Sequence, residues 1–308
     1  MGALALLAAL LGSSMPATAM TDAASHDPRN LTWIVPRVLA VGGGGLTASD
    51  LAYLKSQGFG AVADFRGGHD DGAGNVRAAG MDYLYLPEAD ASTITESDLE
   101  RFVAWAQQEE AAGKPMYVHC SNGWHRAPTF AIAYLMATQH VSFDDAAKRV
   151  KDAREGVLIR APGPLLAYQA KLAGQPGLLV TLAPDDPHLA PGGSRELLVH
   201  VGADGAPVAN ARVHVWTEER ALDAILTTDA KGDARVTLHA PSDASMLHLF
   251  ARASSPGYVD GAANPDVFLD GSAGVPTRAL VIAAGGVLVV VSASLVGWRV
   301  TRKTRARG

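Results

Sequence analysis

His119-Cys120-Ser121-Asn122-Gly123-Trp124-His125-Arg126 lies between a short apolar run, Met116 to His119, and a longer one, Pro128 to Thr138. The flanks read as a strand and a helix, so the stretch is a loop running from a strand's carboxyl end into a helix N-terminus. A turn of backbone N–H groups in that position is a ready cradle for an anion. Arg126, six positions after Cys120, can close the cradle with a bidentate pair of bonds to a phosphate. Gly123 permits the close backbone approach that puts N–H groups on the anion. The same field favours a thiolate, so the residues that bind the anion would also activate Cys120 as a nucleophile. Cys120 is the only cysteine, which excludes an internal disulfide and any Cys-rich zinc site.

Outward from this loop, residues 27–173 alternate between strand and helix signals. Arg37 to Val41 is a strand candidate ending in the Gly42–Gly45 run. Thr47-Ala48-Ser49-Asp50 opens a helix that Gly58 ends, and Ala61 to Phe65 and Asp82 to Leu86 are further strands. Thr95-Glu96-Ser97-Asp98 caps a helix reaching about Ala112, with Leu99, Phe102, Val103 and Ala106 on one face. Gly113-Lys114-Pro115 breaks it. Ser142 caps an amphipathic helix to Ala153. Strands separated by helices predict an α/β fold with a mostly parallel sheet and helices on both faces, its ligand site at the carboxyl ends of the strands. The Cys120 loop occupies that position.

The pattern changes after residue 173. Residues 174–193 read as a Pro- and Gly-rich linker. Across 194–270, the runs Leu197 to Val201, Arg212 to Trp216, Arg235 to Leu238 and Leu247 to Ala251 alternate with turn signals at Asp204-Gly205, Lys231-Gly232-Asp233 and Pro256-Gly257. This spacing predicts a small β-sandwich, with no cluster of metal ligands visible in the sequence.

Both ends carry membrane signals. Ala3 to Leu11 is a short apolar run before the small-x-small site Ala17-Thr18-Ala19, so residues 1–19 read as a signal peptide. Residues 271–278 form a second linker. Ala279 to Trp298 is uncharged and long enough for a transmembrane helix. The basic tail 299–308, with Arg299, Arg302, Lys303, Arg305 and Arg307, predicts a cytoplasmic C-terminus and everything before residue 279 outside. The net charge of −5 gives no basic footprint for nucleic acid.

The stretch from Trp33 to Leu172 resembles the dual-specificity branch of the cysteine phosphatases. Val118 to Arg126 matches that family's active-site signature, Ala63-Asp64-Phe65-Arg66 looks like its early Asp-Leu-Arg strand, and Ser142-Phe143-Asp144-Asp145-Ala146 resembles the helix start after its loop helix. Residues 194–270 are similar to carboxypeptidase-regulatory-like or transthyretin-like β domains, through Asp204 to Val213 and Thr228 to Gly232, a likeness that implies no chemistry.

The resemblance implies a phosphatase-type fold and a phosphomonoesterase that works through a phosphocysteine, without cofactor or metal. Cys120 would be the nucleophile, Arg126 would hold the equatorial oxygens, and Ser121, Asn122, Gly123, Trp124 and His125 would complete the phosphate loop. The general acid would be an Asp about thirty residues upstream: Asp90 is the choice, Glu88 the alternative, and Asp98 is better explained as a helix-capping residue. His119 would steady the loop by hydrogen bonds. Trp124 would either stack on a planar or sugar substrate or pack against the neighbouring loop.

Two positions depart from the family pattern. Ala127 stands where a Ser or Thr hydroxyl usually helps the sulfur leave, although plant-type glucan phosphatases share Arg-Ala-Pro here. Trp124-His125 stands where smaller residues are common, and the loop has no lysine, unlike phosphoinositide-specific members, so only His125 could help neutralise additional phosphates. Expected substrates are a phosphorylated protein, a sugar or a small phosphoester. The alternatives are a phosphate-binding module that has lost turnover and a cell-surface scaffold with a β binding domain.

Overall fold

The computed structural model describes residues 30–68, 70 and 72–270. The expected signal peptide 1–19, the linker 271–278, the transmembrane helix 279–298 and the tail 299–308 lie outside the described residues. Among the described residues no helix is long and apolar enough to cross a membrane. The chain divides into two compact units between Gly177 and Leu178.

The first unit is built on strands β1 (Thr32–Val35), β2 (Leu39–Gly43), β3 (Ala61–Arg66), β4 (Asp82–Glu88) and β5 (Met116–Cys120), in the order β1-β2-β5-β3-β4. β2, β5, β3 and β4 run parallel, and β1 is an antiparallel edge on β2. The strand expected from Arg37 begins two residues later, at Leu39, and the hairpin to β1 went unread. The reason is local: Arg37 has φ 61, a turn conformation that no strand can contain.

Helices α1 (Ala48–Ser56) and α2 (Ala73–Ala78) cover one face of the sheet. Leu51, Leu54 and Val76 pack there with Ala40, Val62 and Tyr117. The other face meets α3 (Glu96–Ala111) and α4 (Arg126–Gln139), with α5 (Phe143–Ala153) and α6 (Pro162–Ala173) packed beyond. Phe65 of β3 stacks on Phe130 of α4 at 3.8 Å and meets Phe102 of α3 edge-on at 5.4 Å. Val62 and Phe65 face opposite ways because side chains alternate along a strand. On β5 the same alternation turns Tyr117 and His119 toward the α1 side and Val118 and Cys120 toward α4.

The capping chemistry follows the sequence. Thr47 with Asp50, and Thr95 with Asp98, form reciprocal capping boxes, and the Ser142 hydroxyl accepts the Asp145 N–H. Helix α4 is buried on every side from Ala127 to Met136, which fixes its first turn rigidly against the sheet. Two helices lacked a readable start. α2 begins after Gly72 with no side-chain cap, and α6 opens on Pro162-Gly163-Pro164, which resembles a breaker although proline suits a first helical turn.

The second unit contains two antiparallel sheets. One has the order β10 (Asp223–Thr227), β9 (Arg212–Thr217), β12 (Met246–Ser254), β13 (Gly261–Ala263), with β14 (Asp266–Phe268) also on β12. The other has β11 (Asp233–His239), β7 (Ser194–Ala203), β6 (Leu179–Ala183), with β8 (Ala206–Pro207) also on β7. Val180, Val199 and Leu238 from one sheet join Val213, Val215 and Leu249 from the other in a single buried cluster. Asp204 (φ 50) and Gly205 (φ 80) make the tight turn expected between β7 and β8. The stretch 174–193, read as linker, carries strand β6: Pro176 and Pro184 flank it, while Leu178 and Val180 bury their side chains.

Candidate active site

Cys120 is the last residue of central strand β5 and is 2% exposed. Its sulfur lies inside the turn that follows, where the Gly123 N–H donates to Sγ at 3.3 Å. Ser121, Asn122, Gly123, Trp124 and His125 complete that turn, and Arg126 opens α4. The loop thus joins the carboxyl end of a parallel strand to the N-terminus of a buried 14-residue helix, whose dipole favours an anion there.

The end of β2 supports the loop from beside it. The Gly44 N–H donates to the carbonyls of Cys120 at 3.0 Å and Ser121 at 2.9 Å. Gly43 lies directly alongside, since a Cβ there would fall 2.7 Å from the Asn122 carbonyl carbon. Gly123 is confined more tightly still. It has φ +70, and a Cβ would meet the Gly42 carbonyl oxygen at 2.4 Å. His119 is fully buried, with Nδ1 2.9 Å from the Gly44 carbonyl. A carbonyl can only accept, so His119 Nδ1 is the donor in this contact. The ring stacks on Tyr117, whose hydroxyl donates to the Gly43 carbonyl at 3.1 Å.

Arg126 is oriented from three sides. Nη1 donates to the carbonyls of Glu88 at 2.6 Å and Phe65 at 3.2 Å, and Nη2 donates to the Ser121 hydroxyl at 2.9 Å. A guanidinium has five N–H donors in a rigid fork, so these bonds leave two for an oxyanion. The Phe65 carbonyl is itself held by its neighbours. Asp64 takes Arg66 in a two-point pair, Nε to Oδ1 at 3.0 Å and Nη2 to Oδ2 at 2.7 Å, across the end of β3. The Asp64-Phe65-Arg66 motif therefore serves the site by placing a backbone acceptor. The ends of β3 and β4 went unread as parts of the site because backbone carbonyls leave no mark in a sequence.

The candidate acids lie on the segment after β4. Asp90 is exposed, and its carboxylate accepts the Ala91 N–H at the start of a short 3-10 turn, Ala91–Thr93. Glu88 is buried, and its Oε2 accepts the Thr93 hydroxyl at 2.7 Å. Burial, above all, pushes the Glu88 carboxyl above its ordinary pKa; Thr93 and Arg126 pull it back. Asp98 is taken by its capping box with Thr95 and lies 3.6 Å from Arg101.

His125 is half-buried at the end of the loop. Burial first, then the nearby charges of Arg160 and Arg126, hold its imidazole below the ordinary pKa, with Asp90 opposing. This shift disfavours a second cation beside the phosphate loop. Trp124 is 44% exposed at the loop's rim, while its carbonyl accepts the Leu158 N–H at 3.1 Å. The backbone is therefore pinned and the indole remains presented to solvent.

Residues 46–168 match the family model described as dual specificity phosphatase, catalytic domain. Dual specificity protein phosphatase 8 of Mus musculus is 36% identical over 93 residues, covering 30% of this chain and 13% of that protein. Residues 46–168 form a domain of the dual-specificity phosphatase type. The phosphatidylglycerophosphatase and protein-tyrosine phosphatase 1 of Mus musculus is 31% identical over 85 residues, covering 27% of this chain and 44% of that protein. The chain thus spans less than half the length of either relative. The solved structure of PTPMT1 covers 47% of this chain and 94% of its own, at 20% identity and a TM-score of 0.41.

Outside the phosphatase domain, and among the described residues, one trio could hold a metal ion. Ligand atoms of Glu218, Glu219 and His248 lie within 4.8 Å of one another in the second unit. The sequence could not show this, because β12 brings His248 beside residues 29 and 30 positions earlier. His248 Nδ1 already pairs with Glu219 Oε1 at 2.6 Å.

Proposed function

We propose that the phosphatase domain hydrolyses phosphomonoesters through a phosphocysteine on Cys120, with Asp90 as general acid and base. The observation that carries this reading is the inward Gly123 N–H on the Cys120 sulfur, in a loop closed by the Arg126–Ser121 bond. Cys120 Sγ attacks phosphorus, forming an S–P bond as the P–O bond to the leaving group breaks. Asp90 gives its proton to the leaving oxygen, then takes one from the water that breaks the S–P bond. Inorganic phosphate and the thiolate result. The loop amides and Arg126 carry the charge on the equatorial oxygens throughout.

Asp90 is preferred to Glu88 because it is exposed on the segment that faces solvent. Glu88 is buried, bonded to Thr93, and fixes Arg126 through its carbonyl. The exposed Trp124 rim supports a monoester carried on a protein or a sugar. The relative whose name joins a phosphatidylglycerophosphatase to a protein-tyrosine phosphatase brings a lipid headgroup into the same class. The apolar segment 279–298 and the basic tail support tethering to a membrane with both units outside the cytoplasm. The two antiparallel sheets support a transthyretin-like reading of residues 194–270, as a binding module in the same chain.

A second reading, slow release of phosphate, is favoured by Ala127, which is fully buried and offers no hydroxyl to the departing sulfur. The full chain should hydrolyse p-nitrophenyl phosphate, and Cys120→Ser should lower the rate by at least about 10⁴-fold, the scale of a lost nucleophile. Equal rates in the two proteins would refute the proposed chemistry.

A further inference from the structure

Arg154 caps the C-terminus of α5 and is 4% exposed, and each of its hydrogen-bond partners among the described residues is a neutral oxygen. Nε donates to the Gly123 carbonyl at 2.8 Å and Nη2 to the Asn122 carbonyl at 3.3 Å. Nη1 donates to the Asn30 carbonyl and, at 3.0 Å, to the Thr32 hydroxyl. Among the described residues no carboxylate pairs with it. A buried cation without a counter-charge is costly, and proteins keep one where it has work to do.

Its place in the loop identifies that work. The Asn122 carbonyl and the Gly123 N–H belong to one peptide plane, and in a trans peptide they point in opposite directions. Arg154 takes the oxygen on the outer side, and the N–H on the inner side reaches Cys120 Sγ at 3.3 Å. The next plane repeats the arrangement, with the Gly123 carbonyl on Arg154 Nε and the Trp124 N–H on the opposite edge. Two consecutive peptide dipoles are therefore held with their positive ends toward the cradle. A Cβ on Gly123 would fall 2.7 Å from Arg154 Nη2, so glycine at 123 also makes room for this contact.

We infer that Arg154 is a positioning residue for phosphate binding and catalysis, acting from behind the loop through the carbonyls of Asn122 and Gly123. It touches neither the phosphate nor the sulfur. It orients the amides that do, and its charge adds to the field that favours a phosphate dianion. Burial lowers its pKa, while Tyr117 and Cys120 raise it, so the loop lies within its electrostatic reach. An arginine keeps its charge even so. This inference rests on the proposed phosphatase activity.

The test compares wild type, Arg154→Lys and Arg154→Met as full chains. It measures p-nitrophenyl phosphate turnover, competitive inhibition by inorganic phosphate, and thermal melting. Lysine keeps the charge but cannot span both carbonyls with a fixed fork. Arg154→Lys should weaken phosphate inhibition about tenfold and lower kcat/KM about tenfold to a hundredfold, as misplaced donors do. Arg154→Met should lose more on both measures. A folded variant of either kind with both constants within twofold of wild type overturns the inference. So does loss of the melting transition in both variants, which would make Arg154 a structural residue only. Wild type without turnover or phosphate inhibition would instead overturn the phosphatase reading itself.

Discussion

Glu88 gives its backbone carbonyl to Arg126 at 2.6 Å while its own carboxyl stays buried against the Thr93 hydroxyl. One residue thus fixes Arg126, the arginine proposed to bind phosphate, through its main chain and carries a desolvated acid on its side chain. The two functions separate cleanly under mutation.

Glu88→Gln keeps the carbonyl and the Thr93 contact while removing the charge. The Glu88 pKa is raised in the folded state, so its favourable contribution is complete below the unfolded value and is lost as pH rises through the folded one. The variant should therefore melt at a higher temperature than wild type at pH 7.5, with the gain vanishing near pH 4. A larger gain at pH 4 would contradict the assignment.

Asp90→Asn tests the acid. Rates for alkyl phosphates, which need a protonated leaving oxygen, should fall about 10²-fold or more. Rates for p-nitrophenyl phosphate, whose leaving group needs little help, should fall much less. If Glu88→Gln shows this split and Asp90→Asn does not, the roles are reversed.

Gly123→Ala should damage the loop twice, through its positive φ and through the short contact with the Gly42 carbonyl. The expected cost is about 1–3 kcal/mol of stability, the scale of a strained backbone position. Phosphate inhibition should weaken in parallel. Calorimetry and inhibition kinetics on the same preparation check both, and a variant matching wild type in the two would show that the loop has room to spare.

Ala127→Ser introduces the hydroxyl that the family pattern has at this position. If S–P hydrolysis limits turnover, wild type should release a burst of nitrophenol, and the serine variant should reduce that burst. Its steady-state rate should rise about fivefold, the worth of one modest hydrogen bond. Stopped-flow absorbance gives both quantities. An unchanged burst would place the slow step elsewhere.

The sequence carried the parts of this site that depend on side-chain identity at fixed spacing. Cys120, Gly123 and Arg126 announce an anion loop, and Thr47, Thr95 and Ser142 announce helix starts, because each works within a few residues of its own position. The supporting shell was hidden because its atoms are backbone or arrive from afar. The Phe65 and Glu88 carbonyls have no side-chain signature. Arg154 reads as an ordinary charged residue at the end of an amphipathic helix until the fold sets its guanidinium behind Gly123. Strand β6 was hidden by the prolines that flank it, and β1 by the left-handed Arg37. The downward pull on the His125 pKa comes from burial and from Arg160, neither of which the motif records.

The central claim is that phosphate passes through Cys120. Rapid acid quench of the full-length Asp90→Asn variant during turnover of p-nitrophenyl phosphate, followed by peptide mass spectrometry, examines it directly. One added phosphate on the peptide containing Cys120, absent from Cys120→Ser, is the predicted result. Turnover with phosphate on another residue, or with none trapped on Cys120 while the burst is seen, would contradict it.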